Sequence, residues 1–302
     1  MAKYARRLDG LLLLDKPKGL TSSQAVQQVK RLFRARKVGH TGSLDPLATG
    51  LLPLCFGEAT KVSAFLLDAD KWYDVECRFG QRTSTGDAEG EVVAERPVHG
   101  LDEVRLESAL AQFRGPLEQI PPMYSAVKHQ GTPLYKLARA GQEVVREPRM
   151  VVIHRLQITS FEAPYVRLSV HCSKGTYVRT LVEDIGEAVG TGAYVSGLRR
   201  TGLGSFDNPD EMVGLAALEQ RVGAGDDPVD WLLPTARALS AFPSLSVNRD
   251  MAFYLRQGQP VLVPKAPTEG WVRVYDEANH LFAVAEILDD GRVAPRRLLH
   301  LP

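Results

Sequence analysis

A histidine and an aspartate lie five residues apart in a short segment of the chain. Residues 38–46 are rich in turn formers and lack the period of a helix or a strand, so we predict a loop that carries both His40 and Asp45. A carboxylate on a loop can act as a nucleophile, or as the base that starts an elimination. The alternative is structural, because an aspartate before a proline often only caps a turn, and a lone histidine is more often structural than functional.

The elements around this loop would hold it in place. Thr21 and Gln24 match a capping box, and apolar residues follow at helical spacing, so a helix is predicted over residues 21–36. Residues 71–80 alternate like a half-buried strand, which puts Tyr73 on the apolar face, where a tyrosine is ordinarily part of a core. A second strand covers residues 166–172, and Thr176 is the predicted N-cap of the helix that follows it. Tyr177 and Arg179 would lie in the first turn of that helix.

Charge is distributed unevenly along the 302 residues. Residues 1–40 hold ten lysines or arginines, Lys3 among them, against two aspartates. The basic run at residues 30–37 could neutralise phosphates of a nucleic acid. Taken alone, the run is better explained by a solvated helix face.

Several classes of protein are disfavoured by the sequence. The apolar run at residues 11–14 ends at Asp15 and is too short for a signal peptide, and no segment reaches the roughly 20 apolar residues that span a bilayer. We therefore expect a cytoplasmic protein with no membrane contact. Cys55, Cys77 and Cys172 show no metal-binding or disulfide spacing, so we predict small buried hydrophobes and no metal site.

The length predicts one large domain and a smaller appended one. Residues 121–150 interleave prolines, tyrosines and basic residues, which suggests a lid-like insertion. The chain from Ser246 onward consists of short strand-like runs, which indicate a β-rich module. We expect a first domain at 1–242 and a second at 243–302.

Four blocks, in this order and spacing, resemble the tRNA pseudouridine-55 synthase family of the bacterial TruB type. They are residues 39–50 (GHTGSLDPLATG), 121–128 (PPMYSAVK), 174–179 (KGTYVR) and 198–201 (LRRT). The resemblance covers nearly the whole chain. It implies an α+β fold whose catalytic domain is built on a mixed, largely antiparallel sheet, followed by a PUA-like RNA-binding domain. Catalytic subunits of guide-RNA particles share the first block, whereas the second resembles the stand-alone enzymes, which implies that no protein or guide-RNA partner is obligatory.

The resemblance also implies roles for individual residues. Asp45 would be the essential carboxylate, Arg179 its ion-pair partner, and Tyr73 the residue that stacks on the uracil and helps to remove the C5 proton. Tyr177 and Leu198 would line the pocket. The other two substrate-binding candidates are His40, which would occupy the position of a flipped-out base, and Lys128 of the basic insertion. The role of Lys61 is left open.

The implied reaction breaks the N1–C1′ bond of a uridine in the T loop of tRNA and joins C5 to C1′. It has no net redox change, so we expect no cofactor. Attack at C6, attack at C1′ and a glycal route all remain open. The target base is buried in a folded loop and must be flipped out of its stack.

Two other classes of function remain as alternatives. A non-catalytic RNA chaperone would not need an aspartate at position 45, and a nucleoside hydrolase would release free uracil. A glycosidase would use two carboxylates across the bond, whereas the matched blocks supply one. Because no apolar helix stripe is left over, we expect a monomer.

Overall fold

The computed structural model describes residues 5–301, and Lys3 lies outside them. Within this range the strands are β1 (Gly10–Lys16), β2 (Val38–His40), β3 (Thr49–Phe56), β4 (Lys71–Phe79), β5 (Gln81–Thr83), β6 (Val92–Glu95), β7 (Gly115–Gln119), β8 (Lys128–His129), β9 (Thr132–Pro133), β10 (Arg149–Glu162), β11 (Tyr165–Cys172), β12 (Ala193–Leu203), β13 (Val213–Gly214), β14 (Ser244–Ser246), β15 (Val261–Leu262), β16 (Trp271–Tyr275), β17 (Leu281–Ile287) and β18 (Arg292–Leu298). The α-helices are α1 (Ser22–Leu32), α2 (Ser63–Leu67), α3 (Glu103–Leu110), α4 (Leu134–Arg139), α5 (Val178–Ala188), α6 (Leu215–Gly223) and α7 (Arg249–Arg256). Short 3-10 helices are Gly57–Lys61, Ala111–Phe113, Pro209–Glu211, Pro228–Trp231 and Thr235–Leu239.

A large sheet with strand order β13-β1-β3-β12-β4-β11-β10-β7 forms the body of the molecule, and β2 pairs with β3. The β1–β13 and β3–β12 pairs are parallel, and the other neighbours are antiparallel. The predicted α+β fold with a mixed, largely antiparallel sheet is therefore confirmed.

The leucine run at residues 11–14 forms the middle of β1 and is buried on both faces of this sheet. Because side chains alternate along a strand, Leu12 and Leu14 enter one core, and Leu11 and Leu13 enter another. A continuous apolar run is typical of a strand covered on both sides. The first core also holds the apolar faces of α1, α3 and α5.

The predicted helices differ from the structure at their ends. The capping box is confirmed, since Gln24 N donates to Thr21 Oγ1 (3.2 Å) and Thr21 N donates to Gln24 Oε1 (2.8 Å). However, α1 ends at Leu32 rather than residue 36, because Arg34 takes a left-handed conformation (φ 49°). In α5 the N-cap is Tyr177 and not the predicted Thr176. The hydroxyl of Thr176 instead donates to Ser173 O. None of the helices formed by residues 5–301 is long and apolar enough to cross a bilayer.

The strand-like runs near the C-terminus form a second sheet, with order β14-β16-β17-β18-β15. This sheet has a core of its own, covered by α7. It also packs against the large sheet, since Leu281, Val284 and Leu299 share a buried cluster with Leu11 and Leu51. The β-rich module therefore joins a cluster on the back of the large sheet that also holds Ala59 and Leu239, from two 3-10 helices that contact β1.

Candidate active site

Asp45 lies in the irregular segment between β2 and β3, at the meeting point of two cavities. One cavity has a volume of about 320 Å³ and the other about 460 Å³. The predicted loop is correct for Asp45. His40, however, is the last residue of β2, where its backbone pairs with Leu54, so its placement on the loop was wrong.

The smaller cavity brings together predicted site residues from four separate parts of the chain. Its lining includes the predicted site residues Asp45, Tyr73, Tyr177, Arg179 and Leu198. Tyr73 comes from β4 and Leu198 from the neighbouring β12, while Tyr177 and Arg179 come from the start of α5. A carboxylate, a guanidinium and two phenols thus converge on one small volume.

Arg179 is held rigidly and directed at Asp45. Its Nη1 donates to Thr85 O (2.8 Å) and its Nη2 to Tyr124 O (2.7 Å), which leaves Nε 3.0 Å from Asp45 Oδ2. The Arg179 side chain is only 6% exposed, whereas that of Asp45 is 43% exposed and open to the cavities. The arginine therefore orients a carboxylate that a ligand can still reach.

Asp87 is a second carboxylate at this arginine, and no sequence pattern had pointed to it. Its Oδ2 lies 3.6 Å from Arg179 Nε, and its side chain is 4% exposed. Its other oxygen accepts hydrogen bonds from Thr85 Oγ1 (2.5 Å) and Glu89 N (3.0 Å). The turn-rich segment around Gly86 was the only available signal, and nothing in the sequence places it beside Arg179.

The surroundings of Asp45 make its carboxylate more basic than an exposed one. Burial against the protein is the main cause that raises the pKa of Asp45, and the nearby Asp87 adds to it. Arg179 and the buried Lys16 act in the opposite direction but do not reverse the shift. Asp45 thus combines an oriented negative charge with an increased affinity for a proton or an electrophile.

Tyr73 is buried at the floor of the cavity, and its neighbour on β12 is Arg200. Burial raises the pKa of the Tyr73 phenol, which Arg200 partly opposes, so the phenol is neutral at physiological pH. Arg200 is 1% exposed and donates to Leu51 O (2.7 Å) and Gly42 O (3.2 Å). Arg200 therefore holds the backbone on either side of Asp45 by hydrogen bonds. The block at residues 198–201 did not predict this structural role.

The backbone of Tyr177 is fixed by the buried side chain of Gln119, at the end of β7. Tyr177 N donates to Gln119 Oε1 (2.7 Å), and Gln119 Nε2 donates to Tyr177 O (3.1 Å). These bonds fix the backbone at the N-cap of α5, where Tyr177 makes no side-chain cap hydrogen bond. Burial raises the pKa of Tyr177, so the phenol that lines the cavity is neutral at physiological pH.

Three family models match the chain in succession. They describe the TruB family pseudouridylate synthase N-terminal domain (residues 30–178), the tRNA pseudouridylate synthase B C-terminal domain (179–240) and the pseudouridine synthase II TruB C-terminal domain (243–299). The chain belongs to the TruB family. The family expected from the four sequence blocks is thereby confirmed.

Two relatives named tRNA pseudouridine synthase B match nearly the whole length of this chain. It is 54% identical to the tRNA pseudouridine synthase B of Pseudomonas aeruginosa over 300 residues, which cover 98% of each chain. It is 53% identical to the enzyme of that name from Nitrosococcus oceani over 293 residues, covering 97% of this chain and 95% of the relative. A chain in the crystal structure of a Cbf5-Nop10-Gar1 complex has the same fold, with a TM-score of 0.76 at 24% identity over 97% of this chain and 85% of that one.

Two substrate-binding candidates of this TruB chain lie outside the lining of both cavities, as far as residues 5–301 define it. Lys128 is exposed on the β8–β9 hairpin of the insertion. His40 is half-buried, and its Nδ1 is buried with no hydrogen-bond partner among the described residues. Burial, with Arg200 nearby, lowers the pKa of His40 and favours a neutral imidazole.

Lys61, whose role the sequence left open, lies at the contact between the two sheets. Its Nζ donates to Glu58 Oε2 (2.6 Å) and to Leu298 O (2.9 Å) of β18. Glu58 in turn accepts from His300 N (2.8 Å). Lys61 is therefore a structural partner and not part of the cavity.

Proposed function

We propose that this TruB family member converts uridine 55 in the T loop of tRNA into pseudouridine. The contact that carries the proposal is the 3.0 Å ion pair between Arg179 and Asp45 at the wall of the smaller cavity. The name shared by the close relatives supports the same reaction and substrate.

The reaction needs few groups, because reactant and product are isomers. Asp45 begins it, either by attack on C1′ or C6 or as the base that starts elimination from the ribose. Arg179 holds the carboxylate in line, and the phenol ring of Tyr73 provides a floor on which the uracil stacks. After the N1–C1′ bond breaks, the uracil turns, C5 bonds to C1′, and the C5 proton leaves to water, with the neutral hydroxyl of Tyr73 relaying it.

The cavity suits a single flipped nucleotide. At about 320 Å³ it is near the lower end of small-molecule sites, which run from about 300 Å³ upward. Turning the base out of its stack costs a few kcal/mol, which contacts in the cavity must offset. We propose that Tyr177 and Leu198 contact the flipped base in the cavity. The neutral imidazole of His40 would stack between RNA bases at the position that the flipped base has vacated.

The chain would act in the cytoplasm as a monomer, without a guide RNA or an obligatory protein partner. We propose that residues 1–242 carry the chemistry and that residues 243–302 form a PUA-like domain that binds RNA. The stand-alone mode rests on the insertion at residues 121–150, where Tyr124 and Arg139 line the larger cavity next to Asp45.

The proposed reaction predicts that tRNA tritiated at uridine C5 loses label to water while its bases stay attached. Release should stop at one hydrogen per tRNA and should vanish in a transcript with cytidine at position 55. A chaperone would release no tritium, and a nucleoside hydrolase would release free uracil. Either result would rule out the proposal.

A second prediction concerns binding of RNA by the insertion. Lys128, Lys136 and Arg139 are exposed there, whereas Arg146 of the same insertion donates to Pro121 O and pairs with Glu143. Replacing the first three with alanine should flatten the dependence of log affinity for tRNA on log salt, by about 0.7–0.9 units for each phosphate that the protein no longer neutralises. Filter binding at several salt concentrations would measure it.

The control for this prediction is Arg146→Ala in the same insertion. Its guanidinium is already used within the protein, so its salt slope should stay close to that of the wild type. If the triple variant kept the wild-type slope, its three side chains would belong to a solvated face and not to the RNA interface.

A further inference from the structure

Two histidines and an aspartate lie close together near the start of β4. They are on the face of the large sheet that points away from the Tyr73 side chain. They are His154 on β10, His171 on β11 and Asp70, which immediately precedes β4. One potential ligand atom from each lies within 4.8 Å of the other two. The three residues come from distant parts of the sequence and meet because β4, β11 and β10 are neighbours in the sheet.

A β-bulge brings His154 to this face. The β10–β11 register passes from Ile153↔Cys172 to Arg155↔His171, so His154 is the extra, unpaired residue. In an unbulged strand, Ile153 and Leu156 could not both point into the core, since side chains alternate. The bulge keeps both of them buried and leaves His154 beside His171 on the outer face.

The other two residues are also fixed in place. The ring of His171 stacks on Trp72, with centroids 4.1 Å apart and an angle of 9° between the planes. The backbone carbonyl of Asp70 accepts a hydrogen bond from Gly204 N (2.9 Å). The cluster therefore lies on β10, on β11 and on the residue that precedes β4.

Two of the three separations between ligand atoms are close to those expected around a metal ion. His154 Nε2 lies 3.3 Å and His171 Nε2 lies 3.7 Å from the same oxygen, Asp70 Oδ2. Ligands about 2.0–2.1 Å from a tetrahedral Zn²⁺ are about 3.3 Å from one another. The buried Nε2 of His171 has no hydrogen-bond partner among residues 5–301.

We propose that Asp70, His154 and His171 form a binding site for Zn²⁺ or a similar divalent ion that prefers imidazole ligands. Two imidazoles and one carboxylate are a common ligand set for zinc, and the partial exposure of His154 and Asp70 leaves room for a water as the fourth ligand. The prediction of no metal site considered only cysteine spacing and could not find ligands that strand pairing brings together. The ion would tie three strands of the sheet together and takes no part in the reaction at Asp45.

The test is titration of the untagged, metal-free protein with Zn²⁺ by calorimetry, with Mg²⁺ in parallel. We expect one Zn²⁺ per chain, no comparable Mg²⁺ binding, and a melting temperature that rises with Zn²⁺ concentration. The variants His154→Ala and Asp70→Asn should each weaken Zn²⁺ binding at least about tenfold. Neither change removes a packed core side chain, so both proteins should fold.

The matched control is His99→Ala, which removes an exposed histidine outside the cluster and should leave Zn²⁺ affinity unchanged. Equal Zn²⁺ affinity in wild type, His154→Ala and Asp70→Asn would overturn the proposal. So would Mg²⁺ binding as strong as that of Zn²⁺, because imidazole ligands disfavour Mg²⁺. Neither result would bear on the proposed modification of tRNA.

Discussion

Replacing Asp45 with asparagine should reduce turnover of tRNA below detection while its affinity for tRNA stays within about tenfold, or about 1.4 kcal/mol, of the wild type. Asparagine keeps the size of the side chain and an oxygen that can accept the Arg179 Nε hydrogen bond. It removes the negative charge and the nucleophilic oxygen. Affinity should change little, because binding to RNA is distributed over many phosphate and loop contacts.

The measurements are C5-tritium release under single-turnover conditions and tRNA binding by filter assay. Glu89→Gln is the matched control, since it also removes a carboxylate from the larger cavity but does not line the smaller one. Substantial tritium release by folded Asp45→Asn protein would show that another group does the chemistry. A joint loss of binding and thermal stability would instead make Asp45 structural.

Arg179→Lys should lower turnover at least about a hundredfold, equivalent to about 2.7 kcal/mol in the barrier. A lysine keeps the charge but has one nitrogen, which cannot bond Thr85 O, Tyr124 O and Asp45 together. Asp45 would lose its fixed orientation, and the buried Asp87 would lose its planar partner. We therefore expect a lower melting temperature as well as slower catalysis.

The catalytic part of this effect can be separated from the structural part. Single-turnover rates should be measured at a temperature where circular dichroism shows the variant to be folded. Arg82→Lys is the control, because Arg82 forms a partly exposed ion pair with Glu187 away from both cavities. A folded Arg179→Lys enzyme with wild-type turnover would remove the arginine from the proposed mechanism.

Local patterns predicted the parts of the fold that local physics determines. The alternation in β4 and β11 and the capping box of α1 appear in the structure as expected. Errors lie at boundaries, where a tertiary contact overrides the local signal. His40 pairs with Leu54 across β2 and β3, and that pairing turned a predicted loop into the end of a strand.

The members of the site were predictable only through the family resemblance. Asp45, Tyr73 and Arg179 were chosen on that ground, and the cavity brings them together. Asp87 and Gln119 were missed because each acts through a contact with a distant segment, and neither has an unusual local sequence. Strand order and register decide such contacts, and a single sequence does not display them.

The shared core behind the large sheet limits how this chain can be rearranged. Leu11 and Leu51 share a buried cluster with Leu281 and Leu299 from the C-terminal region, and Lys61 donates to Leu298 O in the same region. A cut after residue 242 would expose the part of this cluster that Leu281, Val284 and Leu299 cover. The C-terminal region therefore cannot be exchanged for another domain without replacing this buried contact. Any substitute would need to carry an apolar face shaped for this cluster.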